Sequence, residues 1–195
     1  MSYRSCRPIS GTGRHMLWVD LEMTGLDLGK DLIMQVGVLL TDNNLKILYE
    51  KEWDIHVPDG DLDNMGEWCR QHHGESGLTE RCRKSTVHIE DVEEEVCMML
   101  DRIVPDKYLV KRIPLAGSSV HVDRQFLCRD MPTLIEKLNY RIVDVSSIVE
   151  CVGRWVPRIG MGPKRRGRGV AHTALSDIKD SMHLLSYYRG KLFSK

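Results

Sequence analysis

Residues 15–22 read HMLWVDLE, and the alternation within them sets the frame for the whole chain. Leu17, Val19 and Leu21 fall on one side of a period-2 repeat, with Trp18, Asp20 and Glu22 on the other. Successive side chains of a strand leave on opposite faces, so the stretch predicts a β-strand. A turn over residues 25–30 leads to a second apolar run at 32–40. Asn43-Asn44 then predicts a hairpin turn into a third strand over 46–57. Three strands with short connections make an antiparallel meander.

Past Pro58 the pattern turns helical: Val92, Val96, Met99, Leu100 and Ile103 recur at helical spacing, behind acids crowded into 90–95. Residues 113–116 predict a buried strand, 122–129 a helix closed by Pro132, and 141–145 a short strand. Ser146 or Ser147 is expected to cap a helix running to Trp155. A loop rich in glycine and cations at 160–169 precedes a last helix over 173–189, striped by Ala174, Ile178, Met182 and Leu185. The fold class is therefore α/β or α+β: three antiparallel strands, then alternating helices and strands, with helices packed on a sheet.

A chain of 195 residues buries one proper core, so 16–195 reads as a single domain behind a flexible segment at 1–15. That segment carries Arg4, Arg7 and Arg14 among serines, with no acid before Asp20. A transit-type leader and a frayed polar terminus explain it equally. Lys+Arg and Asp+Glu both number 28, so no long-range field captures nucleic acid, which argues against a general coating protein. The six cysteines show no CxxC pair and read as free thiols of a reducing, intracellular compartment, cytoplasmic or mitochondrial. No apolar stretch is long enough to span a bilayer.

Asp20 and Glu22 share a strand face, where a solvated outer surface would account for them as well as chemistry would. Asp123 sits at a helix start, Asp177 one turn into the last helix, and His172 just before that helix. Each alone is ordinary. Converging at one end of a sheet, the four carboxylates would balance two divalent cations, Mg²⁺ or Mn²⁺, a known arrangement for phosphodiester hydrolysis. An imidazole with a pKa of about 6.5 suits the acceptance of a proton from water.

The runs DLEMTGLD (20–27), GSSVHVD (117–123), YRIVDVSS (140–147) and HTALSD (172–177) occur in this order. Together they resemble the oligoribonuclease branch of the DEDDh exonuclease family, which has the RNase H-like fold, a mixed sheet with helices on both faces. SSVHVD is closest to its eukaryotic members, and the similarity runs from Met16 to Phe193. The resemblance implies metal-binding acids at Asp20, Glu22, Asp123 and Asp177, and a general base at His172. It implies that Leu26 wedges against substrate bases and that a base stacks on Trp68, where stacking is worth about 1–3 kcal/mol. His73, Ser119, Arg141 and Ser146 match residues around a 5′-terminal phosphate. Tyr140 matches a tyrosine that reaches a neighbouring subunit's site, which implies a homodimer.

Against that resemblance, Gln35 stands where related sequences often have Glu, Ser118 replaces a frequent Asn and Ser176 a frequent Asp, and none is one of the five catalytic positions. Lys164, Arg165, Arg166 and Arg168 either hold substrate phosphates or form a solvated basic loop. The function expected is 3′→5′ hydrolysis of short single-stranded RNA, di- to pentanucleotides, to nucleoside 5′-monophosphates. Two alternatives stand beside it: an exonuclease of the same family acting on longer DNA or RNA ends, and a non-catalytic nucleic-acid-binding module.

Overall fold

The computed structural model describes residues 14–160, 162–163 and 173–193. Strands β1 (Met16–Met23), β2 (Ile33–Thr41) and β3 (Ile47–Asp54) form the expected antiparallel meander. Helices α1 (Asp59–Asp63), α2 (Glu67–Glu75), α3 (Leu78–Lys84), α4 (Ile89–Ile103) and α5 (Lys107–Val110) follow. Then come β4 (Leu115–Gly117), α6 (His121–Asp130), α7 (Pro132–Lys137), β5 (Ile142–Asp144), α8 (Val145–Trp155) and α9 (Ala174–Leu192). The sheet order is β3-β2-β1-β4-β5, with β4 parallel to β1 and β5 parallel to β4. Only β3 and β5 are edges, so β1 and β2 are flanked on both sides; every residue of β2 is buried.

The two faces of β1 feed two cores. Leu17, Val19 and Leu21 join Val36, Val38 and Leu40 of β2 beneath α4, α6 and α7, against Val96, Leu100, Phe126 and Leu134. Trp18, Leu39 and Ala116 pack on the opposite side against Val145 of α8 and Ile178, Met182 and Leu185 of α9. Trp18 is wholly buried, and its indole Nε1 donates to Thr41 Oγ1 at 3.1 Å, so its one polar atom is satisfied. Met34, Val57, Leu62 and Leu78 make a smaller cluster under α1 to α3. Helices thus cover both faces.

Local chemistry shifts several boundaries from the sequence reading. In the β2–β3 turn, Asp42 Oδ1 accepts from the amides of Asn44 and Lys46, and Leu45, not an asparagine, takes the left-handed conformation at φ 66°. The third strand ends at Asp54 rather than 57. Pro132 does not merely close a helix: it opens α7, since a residue without an N–H is suited to the first helical turn. The cap of α8 is Asp144, whose carboxylate accepts from Ser146 N at 2.9 Å; neither Ser146 nor Ser147 caps it. Thr173 caps α9 in a box with Ser176, and the helix runs on to Leu192. Cys69, Cys82, Cys97, Cys128 and Cys151 are free thiols. Among the described residues no helix is long and apolar enough to cross a membrane. The segment at 1–13, the basic run Lys164, Arg165, Arg166 and Arg168, and His172 lie outside the described residues.

Candidate active site

The strand period sends Asp20 and Glu22 to the α9 side of β1. In the β1–β2 register Asp20 faces Gly37 and Glu22 faces Gln35, so the neighbouring strand adds no like charge. Gly37 also admits the helix: a Cβ there would stand 2.9 Å from the Ala174 carbonyl carbon and 2.9 Å from Leu175 N. Such contact is closer than carbon atoms tolerate, so only glycine allows the first turn of α9 to lie on the sheet. That turn delivers Asp177. Ligand oxygens of Asp20, Glu22 and Asp177 all lie within 4.8 Å of one another.

Crowded, half-buried carboxylates resist ionising together. Burial, then the charges of Asp177, Asp123 and Glu52, push the Glu22 carboxyl up to about 7. Asp123 is buried on α6, and its Oδ1 accepts from Leu21 N at 2.9 Å, directly between Asp20 and Glu22 along β1. Burial raises its carboxyl to about 6, while the Leu21 amide pulls it back down. The structure therefore groups three of the four expected acids in one cluster, with the fourth fastened to the backbone beside them. An all-oxygen donor set with excess negative charge fits hard divalent cations, which Asp20, Glu22 and Asp177 would hold.

The start of α9 is fastened by side chains that the sequence did not single out for the site. Ala174 N donates to Gln35 Oε1 at 2.9 Å, and Leu175 N donates to Glu52 Oε2 at 2.7 Å. Gln35 was visible only as a departure from a family pattern. Ser118, another departure, lies 2.8 Å from Ser181 of α9, hydroxyl to hydroxyl. Ser176 serves the capping box.

The expected substrate residues fall in the loop after β1, on α2, and at the ends of β4 and β5. Leu26 and Trp68 are 74% and 71% exposed, which removes turn packing and core packing as explanations for them. The Trp68 ring stacks on His72 with centroids 4.9 Å apart. Between the loop of Leu26 and α2 is a cavity of about 260 Å³ lined by Thr24, Gly25, Asp31, Asn64 and Cys69. The loop is tied down: Asp31 Oδ2 accepts from Asp27 N, and the Arg129 guanidinium of α6 donates to the Leu28 and Asp31 carbonyls. His73 is buried, with Nε2 donating to the Met23 carbonyl at 3.0 Å. Burial lowers its pKa, so the ring is a neutral pin between α2 and the end of β1.

Ser119 and Ser146 come together, hydroxyl oxygens 3.2 Å apart, past the ends of β4 and β5. Asp144 organises them. Its Oδ1 accepts from both Ser119 N and Ser146 N at 2.9 Å, and its Oδ2 lies 3.3 Å from His121 Nδ1. This carboxylate also holds Ser119 at φ 55°, a conformation costly for a residue with a Cβ. Asp144 and His121 were missed in the sequence; an aspartate two residues ahead of a helical serine was the available signal for the first. Arg141 stands one residue before β5. Its guanidinium lies 5.1 Å from the ring centre of Tyr140, which is 72% exposed.

This arrangement, an acid cluster on a mixed sheet with an exposed leucine and tryptophan beside it, defines a class. The Exonuclease (RNase_T) family matches residues 17–185. The mouse protein named mitochondrial oligoribonuclease is 42% identical over 184 residues, covering 93% of this chain and 75% of its own. A probable oligoribonuclease of Dictyostelium discoideum is 44% identical, covering 95% of this chain and 94% of its own. The oligoribonuclease of Halorhodospira halophila is 43% identical, covering 90% and 92%. Among solved structures, Escherichia coli Exonuclease I in complex with a dT13 oligonucleotide superposes with a TM-score of 0.66 at 12% identity. That match covers 92% of this chain but only 42% of the other, so it speaks for the fold alone. The chain belongs to the oligoribonuclease family of 3′→5′ exonucleases.

Proposed function

We propose that the protein hydrolyses short single-stranded RNA from the 3′ end, di- to pentanucleotides, releasing nucleoside 5′-monophosphates one at a time. The observation that carries this reading is the Asp20, Glu22 and Asp177 cluster, within 4.8 Å, on a chain of this family. Two divalent cations, Mg²⁺ or Mn²⁺, would supply the positive charge that offsets the acids and polarises both the scissile phosphate and the attacking water. Asp20, Glu22, Asp123 and Asp177 hold that charge in place. His172, adjacent in sequence to the α9 cap Thr173, takes the proton of the attacking water. Leu26 and Trp68, both exposed, receive the terminal bases. Ser119 and Ser146 face the 5′-terminal phosphate and stop the chain there, so length selection is steric. His73 acts from beneath by fixing α2, the helix of Trp68.

Arg141 joins Ser119 and Ser146 at the 5′-terminal phosphate, and the adjacent, exposed Tyr140 is suited to reach a second subunit's site, in a homodimer. Catalysis resides in one domain, 16–195, behind the N-terminal segment, and the free thiols suit a reducing compartment, cytosol or mitochondrion.

The test is a length series of 5′-phosphorylated RNA, two to ten nucleotides, assayed with Mg²⁺. Turnover is expected to be fastest at two and to fall with length. A ten-nucleotide substrate cleaved faster than a dinucleotide would favour an exonuclease acting on longer ends; metal-independent binding without mononucleotide release would favour a binding module.

A further inference from the structure

The first N–H groups of a helix have no partner within it and usually turn to water or a capping side chain. At α9 three are taken by three different elements. Thr173 Oγ1 accepts from Ser176 N, Glu52 of β3 accepts from Leu175 N, and Gln35 of β2 accepts from Ala174 N. Gln35 is 1% exposed, and its amide works in two directions. While Oε1 holds Ala174 N, Nε2 donates to Asp54 Oδ1 at 2.6 Å, and Asp54 Oδ2 in turn accepts from Arg81 Nε at 2.8 Å. A hydrogen-bonded chain thus runs from α3 across two strands to the helix that carries Asp177. Ala174 faces the sheet with no exposure, and Asp177 follows one turn later on the same side.

We infer that Gln35 and Glu52 are positioning residues of the exonuclease site: they fix the height and rotation of α9, and so the place of the Asp177 carboxylate against Asp20 and Glu22. The inference rests on the exonuclease reading for its kinetic consequences but not for its geometry. With Asp54 opposite it in this chain, the side chain at position 35 must accept on one side and donate on the other, as an amide does. A carboxylate of the same shape would accept from Ala174 N yet meet Asp54 acceptor to acceptor.

That asymmetry gives a test in the full-length protein. Gln35→Glu is expected to lower kcat on the order of 100-fold with KM changed less than about twofold, since misplacement by an ångström costs that much and Leu26 and Trp68 sit on other elements. Mn²⁺ titrated into the metal-free protein should bind about tenfold more weakly, as when other supports of ligands are lost. Hydrogen exchange at the Ala174 and Leu175 amides should rise. Adding Asp54→Asn reverses the pair: the new amide donates to Glu at 35 and still accepts from Arg81. Kinetics, Mn²⁺ affinity and exchange should then return together. A single variant with unchanged kcat and exchange overturns the proposal, as does a folded double variant that recovers nothing. If Gln35→Glu fails to fold, Glu52 decides: Glu52→Leu should lower kcat, and Glu52→Gln, which keeps an acceptor for Leu175 N, should recover most of the loss. Equal loss in both overturns it. Should the unaltered protein release no mononucleotide, the exonuclease reading falls, while Mn²⁺ binding and amide exchange still decide the clamp.

Discussion

The two faces of β1 solve opposite problems with residues one position apart. On one, Leu17, Val19 and Leu21 are 0%, 1% and 6% exposed and pack into the larger apolar core. On the other, Met16 and the fully buried Trp18 are followed by Asp20 and Glu22, and burial and like charge work against ionisation of Glu22. The first face stabilises the fold. The second costs stability and is kept in place by elements that the first face anchors. Two of the clustered acids thus occupy the carboxyl-terminal half of one strand face.

The largest expected effect lies on the polar face. Asp20→Ala should reduce kcat on the order of 1,000-fold, equivalent to about 4 kcal/mol of transition-state stabilisation, in a Mg²⁺-saturated assay. Its thermal midpoint without metal should not fall, because a repelling carboxylate is removed. The mirror experiment is Leu17→Ala, three residues away. It should cost about 2–5 kcal/mol in denaturant unfolding while kcat per folded molecule stays within about twofold. If the two variants behaved alike, the division between faces would be wrong.

The pH dependence sharpens the same contrast. Glu22 is raised from 4.5 to about 7, so the folded chain binds a proton there that the unfolded chain releases. Its contribution to stability is fully present below about 4.5 and is lost as pH rises through about 7; Asp123, raised to about 6, acts in the same sense. Cations must displace that proton, so Mn²⁺ affinity measured by calorimetry should fall about tenfold per unit below pH 7, with proton release on binding. A flat affinity between pH 5 and 7 would contradict the crowding of the acids. The smallest effect concerns the rim: Trp68→Ala should raise KM for a dinucleotide by the roughly 1–3 kcal/mol of a base stack, with little change in stability because the ring is 71% exposed.

The meander, the faces of β1, and the positions of α4, α6 and α9 were legible because each depends on a period within a dozen residues. Asp20 and Glu22 could be assigned to one face for the same reason. What escaped depends on residues far apart in the chain. Nothing in the local sequence of Gln35 says that its amide meets Ala174, 139 positions later. Asp144 was hidden because the serines after it look like better caps, although a carboxylate two places earlier serves two amides. The grouping of Arg141 with Ser119 and Ser146 came from the family pattern and from no local period.

The Arg129 guanidinium joins α6, which carries Asp123, to the carbonyls of Leu28 and Asp31 in the loop that displays Leu26. In the proposed reading, the Leu26 wedge and the Asp123 acid are then tied through one guanidinium, a fixed jaw rather than a flap. The spacing between a seated base and the phosphate to be cut would be built in before any substrate arrives, and a misfitting strand would meet a rigid gauge instead of a surface that yields to it.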